Sequence, residues 1–242
     1  AVQPDGKVVI VGDFSSYNGV TRMGVARINS DGTLDEGFNP GDGADFSVFA
    51  VELQRDGQIL IAGDFHNYDE VASRGIARLN SDGSIDTSFS PGFGFDDSVR
   101  CVALQEDGKI IVGGFFAHVG NVERGRIARL NTGGSLDAGF VSGAGANGSV
   151  YSLAIQSDGR ILAGGRFSQF NGLSRNGLVR LTEEGSIDPT VNFGTGANGS
   201  VLDIEIRPNF KVLIAGGFTE FDGKKQSHFA QLHGGIMGGS GR

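Results

Sequence analysis

The chain has no tryptophan, one cysteine, five prolines and two methionines in 242 residues. With Cys101 alone, no intrachain disulfide can form. The valines at 99 and 102 place its thiol on a strand, where a free cysteine is a buried, inert group. No apolar run approaches the roughly 18 residues that cross a bilayer, so membrane insertion by a helix is not expected. Basic charge is scarce: 20 Lys and Arg against 28 Asp and Glu give a formal net charge of −8. With nothing to neutralise a phosphate backbone, nucleic acid is not expected as a partner. The chain opens on AVQPDGK, with neither an initiator methionine nor a signal peptide, and reads as a processed or excised piece.

What the chain does have is glycine and phenylalanine, 42 and 18 residues, with short runs of Val and Ile. That mixture suits many short strands joined by tight turns. It is also periodic. QPDGK at Gln3 returns as QRDGQ at Gln54, QEDGK at Gln105, QSDGR at Gln156 and RPNFK at Arg207, always 51 residues on. Each unit reads as four antiparallel strands: Ser47–Gln54, then QILIAGDF, then GIARLN, then a short IDTSF. Asp-Gly or Asn-Gly pairs separate them, and a hairpin turn of that kind takes φ > 0 at both central residues. The second strand is apolar at consecutive positions (Ile59, Leu60, Ile61, Ala62), as in a strand buried on both faces.

Five such units predict an all-β chain folded as a β-propeller, a single domain over 1–233 with units starting near 3, 54, 105, 156 and 207. Residues 234–242, rich in glycine, read as a flexible C-terminal tail or an artificial remnant. The second and third strands occur five times, but only four copies of the first and fourth are complete. Either the ring closes with one thin blade, or it is incompletely closed and comes from a longer array. An unpaired strand edge would then invite self-association.

Residues present in every unit read as structural. Gly12, Gly63, Gly114, Gly165 and Gly216 fit a bulge or a close backbone approach, and the phenylalanines two positions later fit packing between blades. The G-x-G segments at Gly41, Gly92, Gly143 and Gly194 precede a strand, not a helix, which excludes a dinucleotide fingerprint. The turn NSDGTLD (Asn29 to Asp35) imitates part of a calcium loop, but Arg27, Arg78, Arg129 and Arg180 stand where the first carboxylate ligand should be. Calcium is therefore disfavoured, no metal or other cofactor is expected, and an Arg–Asp brace such as Arg78 with Asp86 is expected instead. His66, His118, His228 and His233 lack metal-ligand spacing. No nucleophile–base arrangement stands out, so no catalytic residue is assigned and the chain does not read as an enzyme.

The first–second and third–fourth turns are minimal, whereas the second–third and fourth–first connections at the other end are long. A ligand is expected on that loop face. Its candidate residues are Tyr17, Arg22, Tyr68, Arg124 and Arg175, with Phe46, Phe93, Phe95 and Asp96, which depart from the repeat. Aromatic rings beside carboxylates suit a sugar ring or a protein hot spot.

The blocks QPDGKVVIVGDF and GVARINSDGTLDEGF, with the later G-x-G-x-x-x-S-V, resemble the delta-60 repeat family from residue 1 to about 233. The resemblance implies a bacterial β-propeller of a secreted or cell-surface protein, with a binding or adhesive role and no catalytic residues to carry over. The expected function is a non-catalytic extracellular module presenting its loop face to a glycan or protein. The alternatives are a structural spacer in a large surface protein, or a propeller hydrolase or lyase using Asp13, Asp64 and Arg166, which share one variable repeat position.

Overall fold

The computed structural model describes residues 1–208 and 211–233, which form strands, turns and loops with no helix. The expected tail at 234–242 lies outside the described residues, as do positions 209 and 210 of the RPNFK turn. Each complete unit is a three-stranded antiparallel sheet, as in Val48–Leu53, Ile59–Gly63 and Ile76–Leu79, with the middle strand paired on both sides. The fourth strand is reduced to one bridge, Leu79 to Ile85, and its counterparts are Ile28–Leu34, Leu130–Leu136 and Leu181–Ile187. The long second–third connection is itself a small hairpin, Asn67–Tyr68 against Val71–Ala72 in the second unit.

Packing explains the middle strands. Four apolar clusters lie at the junctions between consecutive units: Ile59 and Ile61 join Val9 and Val25 of the first unit, while Leu60 and Ala62 join Val112 and Phe116 of the third. A strand sandwiched this way cannot alternate polar and apolar residues. Each buried Ile, Leu or Phe contributes about 1.5–3 kcal/mol by leaving water, and no unit can bury its own faces alone. The first strands of successive units face one another and form the inner wall. The arc is open. The first unit keeps two strands of its sheet, with Val2 bridging Val8 at the place of the inner strand.

Every inner strand carries a β-bulge at one position. Val48 pairs with Gly63 and Ala50 with Ala62, leaving Phe49 unpaired; Arg100, Tyr151 and Leu202 are left unpaired likewise. The recurring glycine is the residue opposite. A Cβ on Gly63, Gly114, Gly165 or Gly216 would lie 2.0–2.2 Å from the carbonyl oxygen of Ser47, Ser98, Ser149 or Ser200. The Asp-Gly turn after the inner strand departs from the expected geometry. Of its central pair in the second unit, Gly57 alone has positive φ (88°), and Asp56 instead accepts the Gln58 N–H on its carboxylate at 3.1 Å.

The Arg–Asp brace forms in four units and extends into the next. Arg78 Nε donates to Asp86 at 2.8 Å and Nη1 donates to the Thr132 carbonyl of the following unit at 2.7 Å, with the guanidinium 5.0 Å above the Phe89 ring. Arg27 and Arg129 repeat this toward Ser81 and Glu183, and Arg180 holds Asp188 at 2.8 Å. Lys7, Gln58, Lys109 and Arg160 add a second donor to the same carboxylates.

Lys7, with help from Arg27, holds the Asp35 carboxyl at about 2. Burial works to raise Asp86 and Asp188, but hydrogen bonds from Ser88 and Thr190 and the adjacent guanidiniums hold both at about 2. Depressed carboxyls stabilise the fold fully above their ordinary value near 4 and lose that contribution as pH falls toward about 2. Glu52, raised by burial, acts in the opposite sense but stands against three braces. The denaturant midpoint should be level from about pH 7 to 5 and fall between about pH 4 and 2. Asp188→Asn should lower the midpoint at neutral pH and flatten the acid limb. An acid limb unchanged by that substitution would refute the assignment.

Candidate binding site

The loop end separates the expected site residues rather than gathering them. Tyr68 and Phe95 are core residues, fully buried and 4 % exposed. The reason is a size exchange across one bridge: Ala44 meets Tyr68, Phe95 meets Val119, Ala146 meets Phe170 and Ala197 meets Phe221. Phe95 supplies the volume that Val119 lacks and packs edge-on against Phe116 at 4.7 Å. Burial also pushes the Tyr68 hydroxyl upward, and it donates to the Gly83 carbonyl. Asp96 is a loop staple: one oxygen accepts the Ala117 and His118 N–H groups and the other meets His118 Nδ1 at 2.8 Å. Asp45, Asn147 and Asn198 do the same in their units.

The remaining candidates are scattered. Tyr17 donates to the Gly32 carbonyl at 2.8 Å. Arg22, Arg124 and Arg175 each fold back onto the carbonyl of the preceding residue at 2.7–2.9 Å. Phe46 and Phe93 are exposed, at 58 % and 81 %, and Phe46 meets His66 edge-on at 5.6 Å. Cys101 is buried, and desolvation pushes its thiol upward, in keeping with an inert group.

A contiguous row does form at the same end, on the inner wall, from residues not singled out in the sequence. The bulges turn Phe49, Arg100 and Tyr151 off the regular alternation of their strands. The Arg100 guanidinium lies 3.7 Å from the Phe49 ring centroid and 5.2 Å from that of Phe115. Phe115 in turn meets Tyr151 edge-on at 5.8 Å. The row therefore runs across the second, third and fourth units. Phe115 occupies the repeat position that holds Asp13 and Asp64 earlier and Arg166 later, three residues suggested for acid–base work; they stand one per unit and are all exposed.

The tight-turn end, expected to offer little, holds a concavity of about 940 Å³ lined by residues such as Gln54, Arg55, Asp56, Glu106 and Asp158. Its buried glutamines serve the braces: Gln105 Oε1 and Gln156 Oε1 accept from Arg129 and Arg180 at 3.3 Å. The lining largely repeats from unit to unit, as the scaffold does. Among the described residues, no group of three or more His, Cys, Asp or Glu is placed to hold a metal ion.

The model for the family described as "Domain of unknown function (DUF5122) beta-propeller" matches residues 3–38, 54–89, 105–140 and 156–190. The chain belongs to this family. No curated protein sequence matches the DUF5122 chain. Its fold is similar to the extracellular domain of BT4673 from B. thetaiotaomicron, at TM-score 0.60 and 14% identity, covering 98% of this chain and 27% of that one. It is similar to the WD40 β-propeller domain of Doa1, at TM-score 0.54 and 18% identity, over 78% of this chain and 53% of the other. A candidate gluconolactonase superposes at TM-score 0.55 and 15% identity, over 96% and 72%. The DUF5122 chain thus spans about half of the Doa1 chain and about a quarter of BT4673. At these identities the likeness is one of fold.

Proposed function

We propose that this DUF5122 propeller is a non-catalytic, extracellular binding module of a bacterial secreted or surface protein, taking a glycan on the inner wall at its loop end. One observation carries this reading. Residues that recur are engaged in braces, staples and bulge contacts, whereas the variable bulge residues are unpaired in the register and partly exposed, and three of them join Phe115 in one row. Rings on a rigid sheet suit the apolar face of a sugar. The extracellular setting draws support from the resemblance of the QPDGK and GVARINSDGTLD blocks to delta-60 repeats, and from a propeller of like fold in the BT4673 extracellular domain.

An array of defined saccharides tests it. Wild-type protein should bind at least one saccharide class, and Phe49→Ala/Tyr151→Ala should weaken that binding by about tenfold or more, in the range of losing two ring contacts, with its melting curve unchanged. Phe93→Ala should bind as wild type. A protein that binds no saccharide is better read as a spacer, and a loss caused by Phe93→Ala alone would move the site to the outer loops.

A further inference from the structure

We infer that Arg100 is the receptor for a carboxylate on the bound saccharide, so that the ligand of the inner row is a uronic-acid glycan. The inference rests on the binding reading above and adds the chemical class. Arg100 is half-buried, with its guanidinium over the Phe49 ring at 3.7 Å from the centroid and 5.2 Å from that of Phe115. Stacking fixes the plane of a guanidinium and leaves its N–H donors directed along that plane, away from the ring faces. Among the described residues no hydrogen bond or ion pair engages the Arg100 side chain, in contrast to Arg27, Arg78, Arg129 and Arg180, whose donors meet carboxylates and carbonyls. A half-buried guanidinium stacked on a ring, with no protein acceptor on its donors, is matched by a planar anion accepting two parallel bonds, which a carboxylate does and a neutral hydroxyl does not.

The surroundings support a sugar acid rather than a bare anion. Phe115 lies 5.2 Å from the guanidinium and meets Tyr151 edge to face at 5.8 Å, and the two offer a ring surface for the pyranose that carries the carboxylate. Arg166 pairs through its backbone with Ser149, two residues from Tyr151, and adds an exposed cation to the same unit. The first two units carry Asp13 and Asp64 at the position that holds Arg166, so the exposed cation at this position stands in the fourth unit, next to the Arg100 of the third. The chain as a whole carries −8, so attraction for an acidic glycan comes from this local arrangement and not from a general basic field.

The test compares two probes of one linkage, a β-1,4-linked glucuronate tetrasaccharide and neutral cellotetraose, by titration calorimetry on the full chain. Wild type should prefer the uronate by about tenfold or more, the scale of one charge-assisted bidentate contact. Arg100→Gln should reduce that preference to near unity, with the larger loss on the uronate. Arg100→Lys, which keeps the charge but loses the fork, should keep only a small part of it. Tyr151→Ala should weaken both probes together. A preference retained in Arg100→Gln, or absent in wild type while Tyr151→Ala still weakens cellotetraose, overturns the carboxylate assignment alone. Failure of wild type to bind the uronate overturns the carboxylate assignment, with the saccharide array deciding the binding reading separately, and indifference of both probes to Tyr151→Ala overturns the placing of the site on the inner row. Melting curves of all variants should coincide with wild type, since the row lies on the wall and not in the clusters between units.

Discussion

Gly114→Ala should destabilise the propeller by about 3 kcal/mol or more, while Gly12→Ala, at the same position of the repeat, should stay within about 0.5 kcal/mol of wild type. The two glycines look alike in sequence, and neither has a positive φ that only glycine tolerates. What separates them is the strand across from them. A Cβ on Gly114 would sit 2.2 Å from the Ser98 carbonyl oxygen and 3.0 Å from Val99 Cα, both backbone atoms of the bulged inner strand. That strand cannot withdraw, because Val99 is fully buried between the second and third units. A Cβ on Gly12 would meet only the Phe14 ring at 3.4 Å, since the first unit has no inner bulge opposite. Chemical denaturation of the two variants beside wild type measures the difference. Equal losses at both sites would mean that the glycine is required by the middle strand itself and not by the bulge.

The bulge also marks the boundary of what the sequence made legible. Period, repeat count and two-faced burial of the middle strands follow from composition and spacing alone, because a strand clamped between neighbours must be apolar at every position, as Ile59 to Ala62 are. The Arg78–Asp86 brace was legible too, since a cation stood where a calcium ligand should be, though its reach to Thr132 of the next unit depends on packing. The site residues were harder. A loop aromatic such as Phe95 departs from Ala44, Ala146 and Ala197, and only the bridge to Val119 shows that the departure fills a small partner's space. The signal was present, because Val119 is the one small residue in a column of Tyr68, Phe170 and Phe221, but it required knowing that the two columns touch. Phe49, Arg100, Tyr151 and Leu202 likewise form a variable column directly after a repeated valine. Strict alternation of faces cannot place a residue that sits in a bulge, and one extra residue in the register redirects the side chain.

Arg129→Ala should cost about 3–5 kcal/mol, the range for removing one partner of a buried ion pair. Arg129 and Asp137 are 6 % and 13 % exposed, and the substitution leaves the carboxylate with Lys109 at 3.2 Å as its remaining cation. It also strips donors from the Glu183 carbonyl of the next unit and from Gln105 Oε1, and removes the cation above Phe140. Much of the loss is the penalty of an unpaired buried charge rather than the worth of the pair, so taking away both charges should recover part of it. Arg129→Met/Asp137→Leu is expected to regain at least half of the stability lost in Arg129→Ala. Its remaining deficit reports the bonds to Gln105 and Glu183 and the contact with Phe140, of which the bond to Glu183 joins two units. Were the double variant no better than the single one, the coupling between units, and not the salt bridge, would be the main contribution of the brace. Each unit would then depend on its neighbour's arginine as much as on its own core.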